Sequence, residues 1–244
     1  MGRKVVLDPG HGVETPGKRS PDGTYLEHEF ALDMARRIQT LLERHGVEVV
    51  LTREDGHDVS LPQRVRISNA AAPDLFVSIH SNAAGSGGAW MGVRGYGIYT
   101  SLPGESAGRN KAAKAILARA RAAGIHLWGG GLHHNSQLYV LCRTEAPAVL
   151  IEHLFHDNRE DCALLTDGEY RAKLAEADAR GILDYLGIPY SPSVGPEAGS
   201  SPEGGADEEK RGTADSSPEG GAVEKEHAGI VCPHCGGALA LTKG

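Results

Sequence analysis

Residues 4–12 read KVVLDPGHG: a short apolar run, Lys4–Leu7, stopped by Asp8-Pro9-Gly10 and followed at once by His11. Adjacent valines suit a pleated strand, and the Pro-Gly pair ends it. The run shows no apolar–polar alternation, which marks a strand buried on both faces. Such a strand needs helices above and below it, and the chain supplies them. Phe30–His45 has helical spacing, with Phe30, Met34, Ile38 and Leu41 on one face and Gly46 as its stop. Val47–Thr52 reads as a strand, Leu61–Ala72 as a helix, and Leu75–Ile79 as a second buried-type strand. Gly95–Thr100 reads as a strand and Asn110–Ala123 as an Ala-rich helix. Leu138–Cys142 and Ala148–Ile151 read as two strands close in sequence, and Tyr170–Leu186 as a last helix ended by Gly187 and Pro189. The pattern predicts an α/β fold with helices packed on a mixed, mostly parallel sheet.

Three of these strands lead into residues suited to a metal. Lys4–Leu7 leads to His11, Leu75–Ile79 to His80, and Ala148–Ile151 to Glu152. In open α/β sheets, ligands bind beyond the carboxyl ends of the strands, so these side chains can converge. A further carboxylate lies at the start of the first helix, in LEHEFALDMARR, where Glu27 and Glu29 compete. Residues at i, i+3, i+4 and i+7 share a helix face. From Glu27 these are Phe30, Ala31 and Met34, the apolar stripe; from Glu29 they are Leu32, Asp33 and Arg36. Glu27 therefore points inward, where a carboxylate is expensive unless it is paired or holds a metal. Two neutral imidazoles and one carboxylate make a hydrolytic zinc set with an open position, lowering the pKa of a bound water to about 7. Glu152 then suits the separate task of moving protons.

Charge and composition divide the chain. Its 244 residues carry a net charge of −7, but residues 1–190 hold only −2 of it and residues 191–244 hold −5. Residues 191–226 are mostly Ser, Pro, Gly, Glu and Ala with almost no large apolar residue, and SSPEGGA occurs at Ser200–Ala206 and again at Ser216–Ala222. Such a segment buries too little surface to offset the entropy of ordering it, and reads as a disordered linker. Residues 227–244 form a short tail with Cys232-Pro233-His234-Cys235, a possible second zinc site resembling one knuckle of a ribbon. A structural site needs four ligands; His227 or His234, a second chain, or a cut-short ribbon are the open readings. Cys142 and Cys162 are read as packing residues. No stretch approaches the ~20 apolar residues of a membrane span, and the acidic balance argues against nucleic acid. The first residues lack a signal peptide's apolar stretch and cleavage site.

The motifs VVLDPGHG, LEHEFALDMARRIQTLLERHGVEVVLTR, PQRVRISNAAAPDLFVSIHSNA and APAVLIEHLFHDN run in one order from Val5 to the last helix. Together they resemble the zinc-dependent N-acetylmuramoyl-L-alanine amidases of autolysins and phage endolysins. The resemblance implies a single α/β domain, residues 1–190, with about six strands and helices on both faces. It implies zinc on His11, Glu27 and His80, with Glu152 catalytic. The implied reaction is hydrolysis of the amide between the lactyl group of N-acetylmuramic acid and the L-alanine of the peptidoglycan stem. The loop Gly12–Tyr25 is like a subgroup in which TPGKRSPDG precedes the zinc glutamate, making Lys18, Arg19 and Ser20 candidates for the stem's carboxylates. GGGLHHNSQLY, Gly129–Tyr139, sits where the family has a substrate-side loop, so His133, His134 and Asn135 are candidates for lining the cleft. The partner implied is bacterial peptidoglycan, met by a monomer made in the cytoplasm and released to the wall. A zinc peptidase cutting stem peptides and a non-catalytic wall-binding module are the competing readings.

Overall fold

Alternation along each strand sorts the side chains into two layers. The computed structural model of the chain describes residues 2–15 and 17–192; the linker from residue 193 on, the tail and Cys232 and Cys235 lie outside the described residues. Six strands are described: β1 (Lys4–Pro9), β2 (Glu48–Leu51), β3 (Leu75–Asn82), β4 (Tyr96–Thr100), β5 (Leu127–His134) and β6 (Ala148–Phe155). They form one sheet in the order β2-β1-β3-β6-β4-β5. All neighbours run parallel except β4 against β6. The mixed, mostly parallel sheet with helices on both faces agrees with the expectation.

Val5 and Leu7, Leu75, Val77 and Ile79, and Val149 and Ile151 face the larger core layer. Against them pack α1 (Glu27–Glu43), α3 (Gly108–Ala122), α5 (Arg159–Thr166) and α6 (Gly168–Leu186). Val6, Phe76, Ala148, Leu150 and Tyr99 face the other way, under α2 (Leu61–Ala71) and α4 (Tyr139–Arg143). Every residue of β3 and β6 is buried, as near-continuous apolar runs require of central parallel strands. α6 closes as read: Gly187 takes the left-handed φ of 73° and Ile188 N–H returns to the Leu183 carbonyl. Where α3 crosses α6, Gly181 lies against the Ile116 backbone, a space no Cβ could enter.

Leu138–Cys142 corrects the reading: it is not a strand but the one-turn helix α4 with its lead-in. Leu138, Val140 and Leu141 bury together, and a five-residue apolar run cannot tell strand from helix. Cys142 is exposed on it, while Cys162 is buried in α5. The stretch read as a loop before it is mostly strand β5. Gly129, Gly130 and Gly131 all take positive φ inside β5, the irregular backbone that made it look like a loop. Among the described residues no helix is long and apolar enough to cross a membrane.

Candidate metal centre and active site

His11 leaves the end of β1 in a left-handed conformation, φ 58°, which costs about 1–3 kcal/mol for a non-glycine residue. Two buried arginines hold it there. Arg64 Nη1 donates to Asp8 Oδ1 at 2.8 Å, and Arg64 Nη2 donates to the His11 carbonyl at 3.0 Å and to Asp58 Oδ1 at 2.8 Å. Arg53 Nη2 donates to the Gly10 carbonyl at 3.3 Å and to the His28 carbonyl at 2.8 Å. The second bond ties the β1 loop to the first turn of α1, where Glu27 sits. Gly10 is required because a Cβ would overlap the His80 ring.

Helical geometry chose Glu27 over Glu29, and the structure agrees: Glu27 is wholly buried and Glu29 exposed. Glu27 Oε1 lies 3.3 Å from His11 Nε2 and 3.0 Å from His80 Nδ1. The Ser81 N–H donates to the same oxygen at 3.2 Å. One donor atom from each of His11, Glu27 and His80 falls within 4.8 Å of the others. Two donors held at ~2.0–2.1 Å by a tetrahedral zinc stand ~3.3 Å apart, which the His11–Glu27 and His80–Glu27 separations match. Glu27 Oε2 is buried without a hydrogen-bond partner; His156 Nδ1 stands 4.0 Å from it. A buried carboxylate that faces two imidazoles with one oxygen and leaves the other without a hydrogen bond suits a cation. Burial works to raise the Glu27 pKa, but the facing His11 and His80 outweigh it and hold the carboxyl well below its ordinary value.

His80 is supported from both sides of the sheet. Its Nε2 meets Ser78 Oγ at 3.1 Å. From the opposite face, His153 Nδ1 donates to the His80 carbonyl at 3.0 Å, and His153 Nε2 contacts Asp178 Oδ2 at 2.6 Å. Tyr96 donates its hydroxyl to Asp178 Oδ1 at 2.7 Å. Near Glu27, Tyr25 donates to Ser81 Oγ at 2.7 Å, and Ser81 Oγ lies 2.9 Å from His156 Nδ1. Glu152 is 1% exposed and is the register partner of His80 across β3 and β6. Both residues sit inside their strands, not beyond the ends.

A cavity of about 510 Å³ opens beside His11 and His80, bordered by Lys18, Arg64, Ser78 and Gln137–Val140. That volume lies in the range of ligand sites. Of the three loop candidates, Lys18 borders it. Ser20 is fully buried and donates to Asp22 Oδ1 at 2.6 Å, so as a turn residue it has no surface to offer a substrate; Arg19 does not border the cavity. His134 turns to Thr100 Oγ1, 2.8 Å away, and Asn135 Oδ1 accepts from the Gln137 N–H. Neither borders the cavity. The His133 and Trp128 rings stack 4.1 Å apart and lie over Gly97, the register partner of Glu152 on β4.

A family model described as N-acetylmuramoyl-L-alanine amidase matches residues 5–184. The chain belongs to that amidase family. The amidase domain is 34% identical over 191 residues to the endolysin of Bacillus phage SPP1, covering 77% of this chain and 68% of that one. It is 31% identical over 185 residues to the N-acetylmuramoyl-L-alanine amidase LytC of Bacillus subtilis, covering 76% of this chain and 36% of LytC. Among solved structures, the amidase fold matches the catalytic domain of CwlV from Bacillus (Paenibacillus) polymyxa at TM-score 0.66 and 30% identity. The match covers 77% of this chain and 99% of that one. The apo form of Ami1 from Mycobacterium abscessus matches at TM-score 0.68 and 30% identity, over 76% and 99%.

Proposed function

We propose that the chain cleaves the amide between the lactyl group of N-acetylmuramic acid and the L-alanine of the peptidoglycan stem. In this reading His11, Glu27 and His80 hold a zinc ion and Glu152 carries the proton. The observation that carries it is the convergence of those three donor groups within 4.8 Å, with Glu152 beside His80 on the neighbouring strand.

Held there, zinc would polarise the scissile carbonyl and acidify a water to a pKa of about 7. The rest falls to the chain's own residues. The Glu152 carboxylate accepts the proton of the attacking water, then delivers it to the alanine nitrogen as the C–N bond breaks. Its burial keeps bulk water from competing for that proton. The cavity beside His11 and His80 receives the substrate, and Lys18 at its border is placed to meet a carboxylate of the stem. The Arg53 and Arg64 hydrogen bonds keep the His11 loop in its strained conformation, so the donor set is organised before any ligand arrives.

The test is mass spectrometry of purified peptidoglycan after digestion. Free L-alanine amino termini and intact lactyl groups support the amidase. New termini within the stem support a peptidase using the same donors, and an unchanged wall leaves a binding module.

A further inference from the structure

β1 and β3 are parallel neighbours with Asp8 opposite Ser78. Two residues further along β3, on the same face, stands His80. Asp8 is 1% exposed and Ser78 wholly buried. Asp8 Oδ1 accepts from Arg64 Nη1 at 2.8 Å and from the Thr52 hydroxyl at 2.5 Å, while Asp8 Oδ2 accepts from Ser78 Oγ at 2.7 Å. Ser78 Oγ lies in turn 3.1 Å from His80 Nε2. Hydrogen counting settles the direction of this chain. The buried Arg64 guanidinium, 2.8 Å from Asp8 Oδ1, favours the ionised form of Asp8. An ionised Asp8 can only accept, so the single hydroxyl hydrogen of Ser78 goes to it. Ser78 then offers His80 a lone pair, and His80 Nε2 must carry a proton. That leaves Nδ1, the nitrogen facing Glu27 Oε1, as the ligating atom.

We propose that Arg64, Asp8 and Ser78 form a relay that fixes the His80 tautomer and aims its Nδ1 at the metal position. Asp8 and Ser78 are positioning residues here: they act through His80. The proposal rests on His80 being a metal ligand. Partners of this kind orient a ligating imidazole and raise its basicity, and removing one typically weakens metal binding ~10–100-fold. Burial acts to raise the Asp8 pKa, but Arg64 and the Thr52 and Ser78 hydroxyls outweigh it and hold the group below its ordinary value, in keeping with an ionised Asp8.

The test uses the full chain labelled with ¹⁵N at histidine, zinc-free and zinc-loaded, with long-range ¹H–¹⁵N correlation spectra. His80 is assigned by its loss in His80→Gln. The expected spectrum of the loaded protein has a protonated His80 Nε2 and a metal-shifted Nδ1. In parallel, zinc affinity is measured by competition with a chromophoric chelator for wild type, Ser78→Ala and Ser78→Thr, with circular dichroism as the check on folding. Ser78→Ala should bind zinc ~10–100-fold more weakly, and Ser78→Thr, which keeps the hydroxyl, should recover most of the loss. Zinc held through His80 Nε2, or a folded Ser78→Ala with wild-type affinity, overturns the relay alone. Failure of the wild type to bind zinc overturns the reading of the site and the relay with it. If Ser78→Ala does not fold, the wild-type spectrum still decides.

Discussion

His80 on β3 and Glu152 on β6 are register partners on one face of the sheet. Neighbouring strands lie about 4.8 Å apart, so a candidate metal ligand and a candidate proton carrier are held at fixed spacing by the two central strands. This rigidity separates their roles experimentally. Glu152→Gln keeps the shape of the side chain and removes its charge. Turnover of wall substrate should fall by ~10²–10⁴-fold, the usual worth of a positioned acid–base group, while zinc per chain stays at the wild-type value. Wild-type lysis by a folded Glu152→Gln would remove it from the mechanism.

His11→Ala and His80→Ala should each lose zinc, measured as metal per purified chain. Both imidazoles must be neutral to ligate. Zinc affinity of the wild type should therefore decline as pH falls, because protons compete for the same nitrogens. Affinity that is flat from pH 8 to 5 would argue against a two-histidine site.

Two glycines make a matched pair. Gly10→Ala drives a methyl into the His80 ring, and Gly181→Ala drives one into the Ile116 backbone between α3 and α6. Each should cost about 1–3 kcal/mol in urea unfolding, as overpacking does. Only Gly10→Ala should also weaken zinc binding. Equal zinc affinity in the two variants would mean that Gly10 serves packing and not the site.

Much of this arrangement is legible in the sequence because it depends on local periodicity. The choice of Glu27 over Glu29 follows from which neighbours share its helix face, and the buried strands follow from their unbroken apolar runs. What was hidden depends on register between distant segments. Nothing within Lys4–Gly12 says that Asp8 will stand opposite Ser78, seventy residues on. Nothing around Ala148–Ile151 says that His153 will reach the His80 carbonyl with Asp178 behind it. Arg53 and Arg64 lie inside motifs that resemble the family, yet their work on the His11 loop is visible only once the loop is folded over them. β5 was missed because three glycines at positive φ mask the strand, and α4 was misread because its run is too short to show a period.

Asp8 links the site to acid stability. Its pKa in the folded chain is lowered. A lowered folded pKa means stability that is fully present above the unfolded value and lost as pH falls through the folded one. The advantage of wild type over Asp8→Asn in urea unfolding should be largest near neutral pH and shrink below about pH 4. A difference that stays constant down to pH 3 would show that folding does not lower the Asp8 pKa.

The central claim is that this site cuts the lactyl–L-alanine amide. The most direct measurement is mass spectrometry of purified peptidoglycan digested by the full chain with zinc, with Glu152→Ala as the control. The account predicts released stem peptides beginning with a free L-alanine amine, glycan bearing intact lactyl groups, and neither product from Glu152→Ala. Cleavage within the stem, or the same products from the Glu152→Ala control, would contradict it.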